Sequence, residues 1–238
     1  MEEISNYFAQ KKYPLVKNID ETIGKIIEGK YSIARFGDGE FYLSMGRPIG
    51  FQEADRSLQK KMVAILKSGS TNKCLVAIPE FRITHLTPFW KRFWYENIEG
   101  ITSFFKPGEV YYNQSITREG SVLQMQQLKK VWQGRNVIFV LGKGGRFNIR
   151  HELFDNIVGS EIIYGDSKNA WKNYASVVSE VRQKAVRTDN PIVICALGPT
   201  ATVLAFELGN EGIQTMDIGH LTNVYDNLVY GGKKPEEI

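Results

Sequence analysis

Ile33-Ala34-Arg35-Phe36-Gly37-Asp38-Gly39-Glu40 runs from a β-like apolar segment directly into two glycines and two carboxylates. Glycines let the backbone turn sharply and let a ligand approach it closely. Carboxylates one residue apart form a compact set of hard oxygen donors, suited to a metal-bound diphosphate. The plainer reading is a turn whose acidic residue caps the next helix. A turn accounts for Gly37, Asp38 and Gly39 but gives no reason for Glu40 or Arg35.

Outward from this stretch, short apolar β-rich runs alternate with longer amphipathic ones. Strands are expected at Tyr31–Arg35, Lys73–Ile78, Glu109–Asn113, Asn136–Leu141, Glu161–Tyr164, Ile192–Leu197 and Gln214–Ile218. Between them, apolar residues recur at three and four positions over Ile19–Glu28, Ser57–Leu66, Thr87–Tyr95, Ser121–Trp132, Ala170–Arg187 and Thr200–Leu208, which predicts helices. Gly69, Gly134 and Gly212 stand where helices would stop. This alternation is that of an α/β fold, a mostly parallel sheet with helices on both faces. One Rossmann-like domain is expected over 1–238, its core from about 19 to 222.

The 30 basic and 26 acidic residues leave a net charge of +4, spread without a block of like charge. Such a surface does not call for nucleic acid. It is compatible with a polyanionic small ligand or with contact to an anionic membrane surface. Cys74 and Cys195 each lie in an apolar run and read as buried thiols, not a disulfide framework. The absence of a long apolar stretch and of a signal-like start predicts a cytoplasmic protein.

Ligands of such folds collect at the carboxyl ends of the strands. Besides Gly37 to Glu40, those positions hold Pro79-Glu80-Phe81-Arg82, Gly142-Lys143-Gly144-Gly145-Arg146 and Gly198-Pro199-Thr200. The Gly142 segment can aim backbone N–H groups and two cations at a phosphate, although its spacing is neither the dinucleotide fingerprint nor the P-loop. Thr200 and Thr202 suit either an anion or a helix cap. Thr117-Arg118 and Ser167-Lys168-Asn169 add polar donors after two further strands. His220, beyond Asp217-Ile218-Gly219, is a candidate metal ligand or acid/base, or an ordinary surface histidine. Phe89-Trp90-Lys91-Arg92-Phe93-Trp94-Tyr95 reads mainly as a core stripe, with room for an exposed aromatic face.

Taken together, Ala34 to Glu40, Gly198-Pro199-Thr200-Ala201-Thr202-Val203-Leu204-Ala205 and Asp217-Ile218-Gly219-His220 resemble the GT-D-type glycosyltransferases. That family was formerly a domain of unknown function and includes enzymes that glycosylate bacterial adhesins. The resemblance implies a Rossmann-like fold and transfer of a sugar, glucose by expectation, from a UDP-sugar with help from Mn2+ or Mg2+. It carries the family's Asp-x-Glu metal motif onto Asp38 and Glu40, and His220 joins them as an expected metal ligand and catalytic residue.

On that reading Arg35, Gly37, Gly39, Thr117, Arg118, Gly142, Lys143, Ser167, Lys168, Asn169, Gly198, Pro199 and Thr200 are expected to bind substrate. Asp38, Glu80 and His220 are the candidates for removing the acceptor's proton. The acceptor is a glycan, a glycoprotein or a lipid-linked sugar. A Rossmann-fold methyltransferase and a non-catalytic sugar-nucleotide-binding module are the alternatives.

Overall fold

In the computed structural model, which describes residues 13–80 and 88–231, the apolar runs become strands that all lie parallel. They are β1 (Leu15–Val16), β2 (Ser32–Arg35), β3 (Cys74–Ile78), β4 (Val110–Asn113), β5 (Asn136–Gly142), β6 (Gly159–Gly165), β7 (Pro191–Ala196) and β8 (Thr215–Asp217). The sheet order is β1-β4-β3-β2-β8-β7-β5-β6. The chain steps outward from β2 through β3 to β4, crosses to β5 and β6, and returns through β7 and β8 to lie beside β2. The helical segments that follow these two neighbours, 56–68 after β2 and 221–230 after β8, pack on opposite faces of the sheet, so the side to which the chain winds reverses between β2 and β8.

The helices are α1 (Ile19–Gly29), α2 (Asp38–Ser44), α3 (Arg56–Ser68), α4 (Pro88–Thr102), α5 (Val122–Gln127), α6 (Lys129–Trp132), α7 (Tyr174–Arg187), α8 (Pro199–Asn210) and α9 (Leu221–Tyr230). Their starts follow local chemistry. The Asn18 side chain accepts from the Glu21 N–H at 2.8 Å while Glu21 Oε2 accepts from the Asn18 N–H at 3.0 Å, a reciprocal cap for α1. Asp55 accepts from the N–H groups of Ser57 and Leu58 at the start of α3. Gly69 closes α3.

Period-two alternation along the strands divides the core into two layers. Leu75, Ala77, Val137, Phe139 and Leu141 pack with α1, α5, α6 and α9 on one face. Val76, Ile78, Ile138 and Val140 pack with α3, α4, α7 and α8 on the other. The expected α/β sheet with helices on both faces is thus observed. Cys74 and Cys195 are buried free thiols, as expected.

Several local expectations need correction. The run Ser121–Trp132 is divided at Leu128 into α5 and α6. Ala170–Asn173 is a 3-10 turn ahead of α7, because Asn169 sits in the left-handed region at φ +55°. Helices α2 and α9 and the two-residue strand β1 arise where no element was expected. In α4, Phe93 and Trp94 are buried among Phe41, Tyr42 and Phe105, whereas Phe89 and Tyr95 are exposed. Thr87, Phe81 and Arg82 lie outside the described residues. No helix among the described residues is long and apolar enough to cross a membrane.

Candidate functional site

The loops that follow the strands gather at one edge of the sheet, and the reversal between β2 and β8 lies at their centre. Arg35 ends β2 and Asp217 ends β8, 182 residues apart in sequence. The Arg35 guanidinium donates Nε–H to the Asp217 carbonyl at 2.6 Å and Nη2–H to Asp217 Oδ1 at 3.1 Å. Its Nη1 donates to Thr117 Oγ1 at 2.6 Å and to the Gln114 carbonyl at 3.3 Å. Both charged side chains are more than nine-tenths buried. Four of the five guanidinium N–H groups are therefore committed inside the protein.

Thr202, from α8, closes the network from below: its hydroxyl donates to the Arg35 carbonyl at 2.9 Å and lies 3.2 Å from Asp217 Oδ2. Gly219 makes room above. Its φ is +50°, and a Cβ there would fall 2.4 Å from Arg35 Nη2. The bend after β8 can pass over the guanidinium only as glycine.

Beside this pair, Asp38 and Glu40 stand in the first turn of α2. Glu40 Oε2 accepts from the Gly37 N–H at 2.7 Å, so Glu40 caps the helix that it belongs to. The structure thus supplies the reason that a simple turn lacked for Glu40 and Arg35: one caps, the other neutralises a buried aspartate. The Glu40 carboxyl is pushed up to about 7, first by burial, then by the negative charge of Asp217 and, more weakly, of Asp38, with the Gly37 N–H opposing. Three carboxylates thus crowd a half-buried edge with one committed cation among them.

The remaining expected residues occupy distinct places. Thr117 is fully buried and bonded to Arg35, whereas Arg118, the next residue, is exposed. The Thr200 hydroxyl is buried with no hydrogen-bond partner among the described residues, so it neither caps α8 nor faces solvent. Pro199 is buried and Gly198 exposed at the helix start. Gly142 lies against Ser167, where a Cβ would sit 3.3 Å from the Ser167 Cα. Lys143, Ser167 and Lys168 are exposed at the ends of β5 and β6. His220 is exposed at the start of α9, directly after Gly219. The Glu80 carboxylate accepts from Asn113 Nδ2 at 2.9 Å beyond β3.

One loop at this edge was not anticipated. Gly46–Asp55 folds back so that Ile49 and Gln52 pair across Gly50 and Phe51. The Asn169 N–H donates to the Phe51 carbonyl at 2.8 Å, and Asn169 Oδ1 accepts from the Glu53 N–H at 2.7 Å. Asn169 is thereby engaged with protein. The punctuation Gly46-Arg47-Pro48-Ile49-Gly50 signals a turn, and an aromatic residue directly after it was the available clue.

Among the described residues no group of three or more His, Cys, Asp or Glu side chains is gathered to hold an ion alone. Asp38, Glu40 and His220 therefore do not form a ready-made cage. The crowded carboxylates instead fit a hard cation that takes one or two protein oxygens and completes its shell with phosphate and water.

Open α/β sheets bind their ligands where the winding reverses, and the glycine-lined edge of this chain places it in that class. The chain belongs to the glycosyltransferase GT-D fold family, whose pattern matches residues 33–237. The glycosyltransferase GlyD of Streptococcus pneumoniae serotype 4 is 29% identical over 235 residues, covering 92% of this chain and 28% of the relative. A probable glycosyl transferase, Gly, of Streptococcus gordonii is 28% identical over 229 residues, covering 89% of this chain and 32% of the relative. The chain thus spans less than a third of the length of these relatives. A solved structure described as a new glycosyltransferase from Streptococcus sanguinis superposes with a TM-score of 0.83 at 28% identity, over 92% of this chain and 86% of that one. Another, described as a highly conserved domain with a distinct glycosyltransferase fold, gives 0.86 at 26% identity, over 95% and 86%.

Proposed function

We propose that this chain is a glycosyl-transfer unit that moves a sugar, glucose by preference, from a UDP-sugar to a hydroxyl of a glycan, glycoprotein or lipid-linked acceptor. The observation that carries the reading is the buried Arg35–Asp217 pair beside Asp38 and Glu40 at the reversal of the sheet, in a chain of this family. Asp38 and Glu40 would hold a divalent cation, Mn2+ or Mg2+, which when bound supplies positive charge against the leaving diphosphate.

The chain's own residues do the rest. Arg35 acts through Asp217: it fixes the carboxylate at the floor of the site. Arg118, Lys143 and Lys168, exposed on three strand-end loops, offer donors to the diphosphate. To His220, exposed past Gly219, we assign removal of the proton of the attacking hydroxyl. Asp38 and Glu80, the latter accepting from Asn113 Nδ2, are the other candidates for that role.

Incubation with UDP-glucose and Mn2+ tests this through release of UDP. Release is expected, with loss on addition of a chelator and in Glu40→Ala. An alanine variant as active as its parent overturns the carboxylate assignment, and release unaffected by chelator overturns the metal.

A further inference from the structure

The loop Gly46–Asp55 presents an aromatic ring at the ligand edge and is held firmly while leaving that ring open. Its backbone is fixed from both sides. The Ile49 N–H donates to the Gln52 carbonyl at 2.9 Å and the Gln52 N–H to the Ile49 carbonyl at 3.2 Å, which places Gly50 and Phe51 at the tip. Asn169 grips the Phe51 carbonyl and the Glu53 N–H. The buried Gln52 side chain accepts from the Trp171 N–H at 3.3 Å. Asn169 can serve the tip with both its N–H and its side chain because it adopts φ +55°, a conformation costly for a residue with a Cβ.

Phe51 lies against Gly198. A Cβ on Gly198 would fall 2.8 Å from Phe51 Cε2, so the glycine, itself at φ +55°, lets the chain after β7 pass under the ring. Phe51 nevertheless remains 48% exposed. A buried aromatic stabilises a fold. A half-open one on a pinned loop removes less apolar area from water and so contributes less to the fold, and it offers a flat face to a ligand. The ring stands over the end of β7, between the carboxylates beyond β2 and β8 and the Ser167–Asn169 loop beyond β6. β7 lies two strand spacings from β2, about 10 Å, a distance that the nucleoside of a diphosphate bound at the carboxylates can reach.

We propose that Phe51 is the platform on which the nucleobase of the donor stacks, with Asn169 as its positioning residue; this rests on the nucleoside diphosphate donor proposed above. Stacking needs only a π-face, so the platform contributes affinity for the base and leaves the phosphate contacts untouched.

The test is calorimetric titration of the full chain, with Mg2+ present, by UDP and separately by inorganic pyrophosphate. Phe51→Leu keeps apolar contact with Gly198 but removes the π-face. It is expected to weaken UDP by about fivefold or more and to leave pyrophosphate unchanged, while Phe51→Trp retains UDP binding. Asn169→Ala is expected to weaken UDP less, and to add nothing on top of Phe51→Leu. An unchanged melting temperature in Phe51→Leu certifies the fold. Equal UDP affinity in Phe51→Leu and the parent overturns the platform alone, as does an equal loss of pyrophosphate. A parent that binds none of UDP, GDP or CDP overturns the donor reading and the platform together.

Discussion

The two halves of the ligand edge are built on opposite plans. At β2 and β8 the polar groups are inside and bonded to one another: Arg35, Asp217, Thr117 and Thr202 form one network. At β5 and β6 Lys143, Ser167 and Lys168 stand outside on glycine-containing turns. Removing a buried charge strands its partner, whereas removing an exposed one returns water to the surface. The first half should thus register in stability and the second in ligand affinity.

The largest effect is expected from Asp217→Asn, which leaves the Arg35 guanidinium buried without its counter-charge. A loss of about 3–5 kcal/mol is expected from the shift in urea midpoint. The double variant Arg35→Met with Asp217→Leu should recover much of that stability and none of the turnover. Recovery of both would mean that the pair serves the fold alone. Gly219→Ala comes next, because a methyl meets the guanidinium at a positive φ, and about 1–3 kcal/mol is expected by the same measurement.

Glu40 separates stability from activity through pH. Its folded carboxyl titrates at about 7 against an ordinary value of 4.5, so between those values the folded chain holds a proton that the unfolded chain releases. Stability contributed by this group therefore falls as pH rises from 4.5 to 7 and is level above. Glu40→Gln keeps the acceptor for the Gly37 N–H and has no charge. In chelator it should be more stable than the parent by about 3 kcal/mol at pH 8, equal to it near pH 4, and inactive throughout. Thermal unfolding at the two pH values checks this, and a constant difference between the variants would show that crowding of carboxylates is not the cause. The smallest change in stability is expected from Lys143→Ala, within about 0.5 kcal/mol, with a several-fold rise in donor KM.

The sheet was legible because a fully buried parallel strand is a continuous apolar run, as in Val137 to Leu141, and most such runs are followed by an amphipathic stretch. β1 escaped because Leu15 and Val16 form too short a run to carry any period. Helix α2 escaped because its first turn, Asp38-Gly39-Glu40, is made of residues that also make turns. What selects the helix is the reach of Glu40 back to Gly37, which depends on both being anchored at the end of β2. The pairing of Arg35 with Asp217 has no local signature. Each residue type suggested chemistry, while the choice between binding substrate and binding each other is made by the neighbouring positions of β2 and β8. The Phe51 loop is defined by its contacts with Asn169 and Gly198, both distant in sequence.

The separation of 182 residues between Arg35 and Asp217 also bears on synthesis. A chain emerging from the ribosome completes β2 early but has no counter-charge for its arginine until β8 is made. The central strand pair, and with it the floor of the ligand edge, is among the last contacts to close. Until then the guanidinium must stay hydrated and the middle of the sheet open. Ligand binding thus becomes possible only after nearly the whole sheet has been assembled, and a chain stopped short of β8 holds the Asp38–Glu40 turn without the floor beside it.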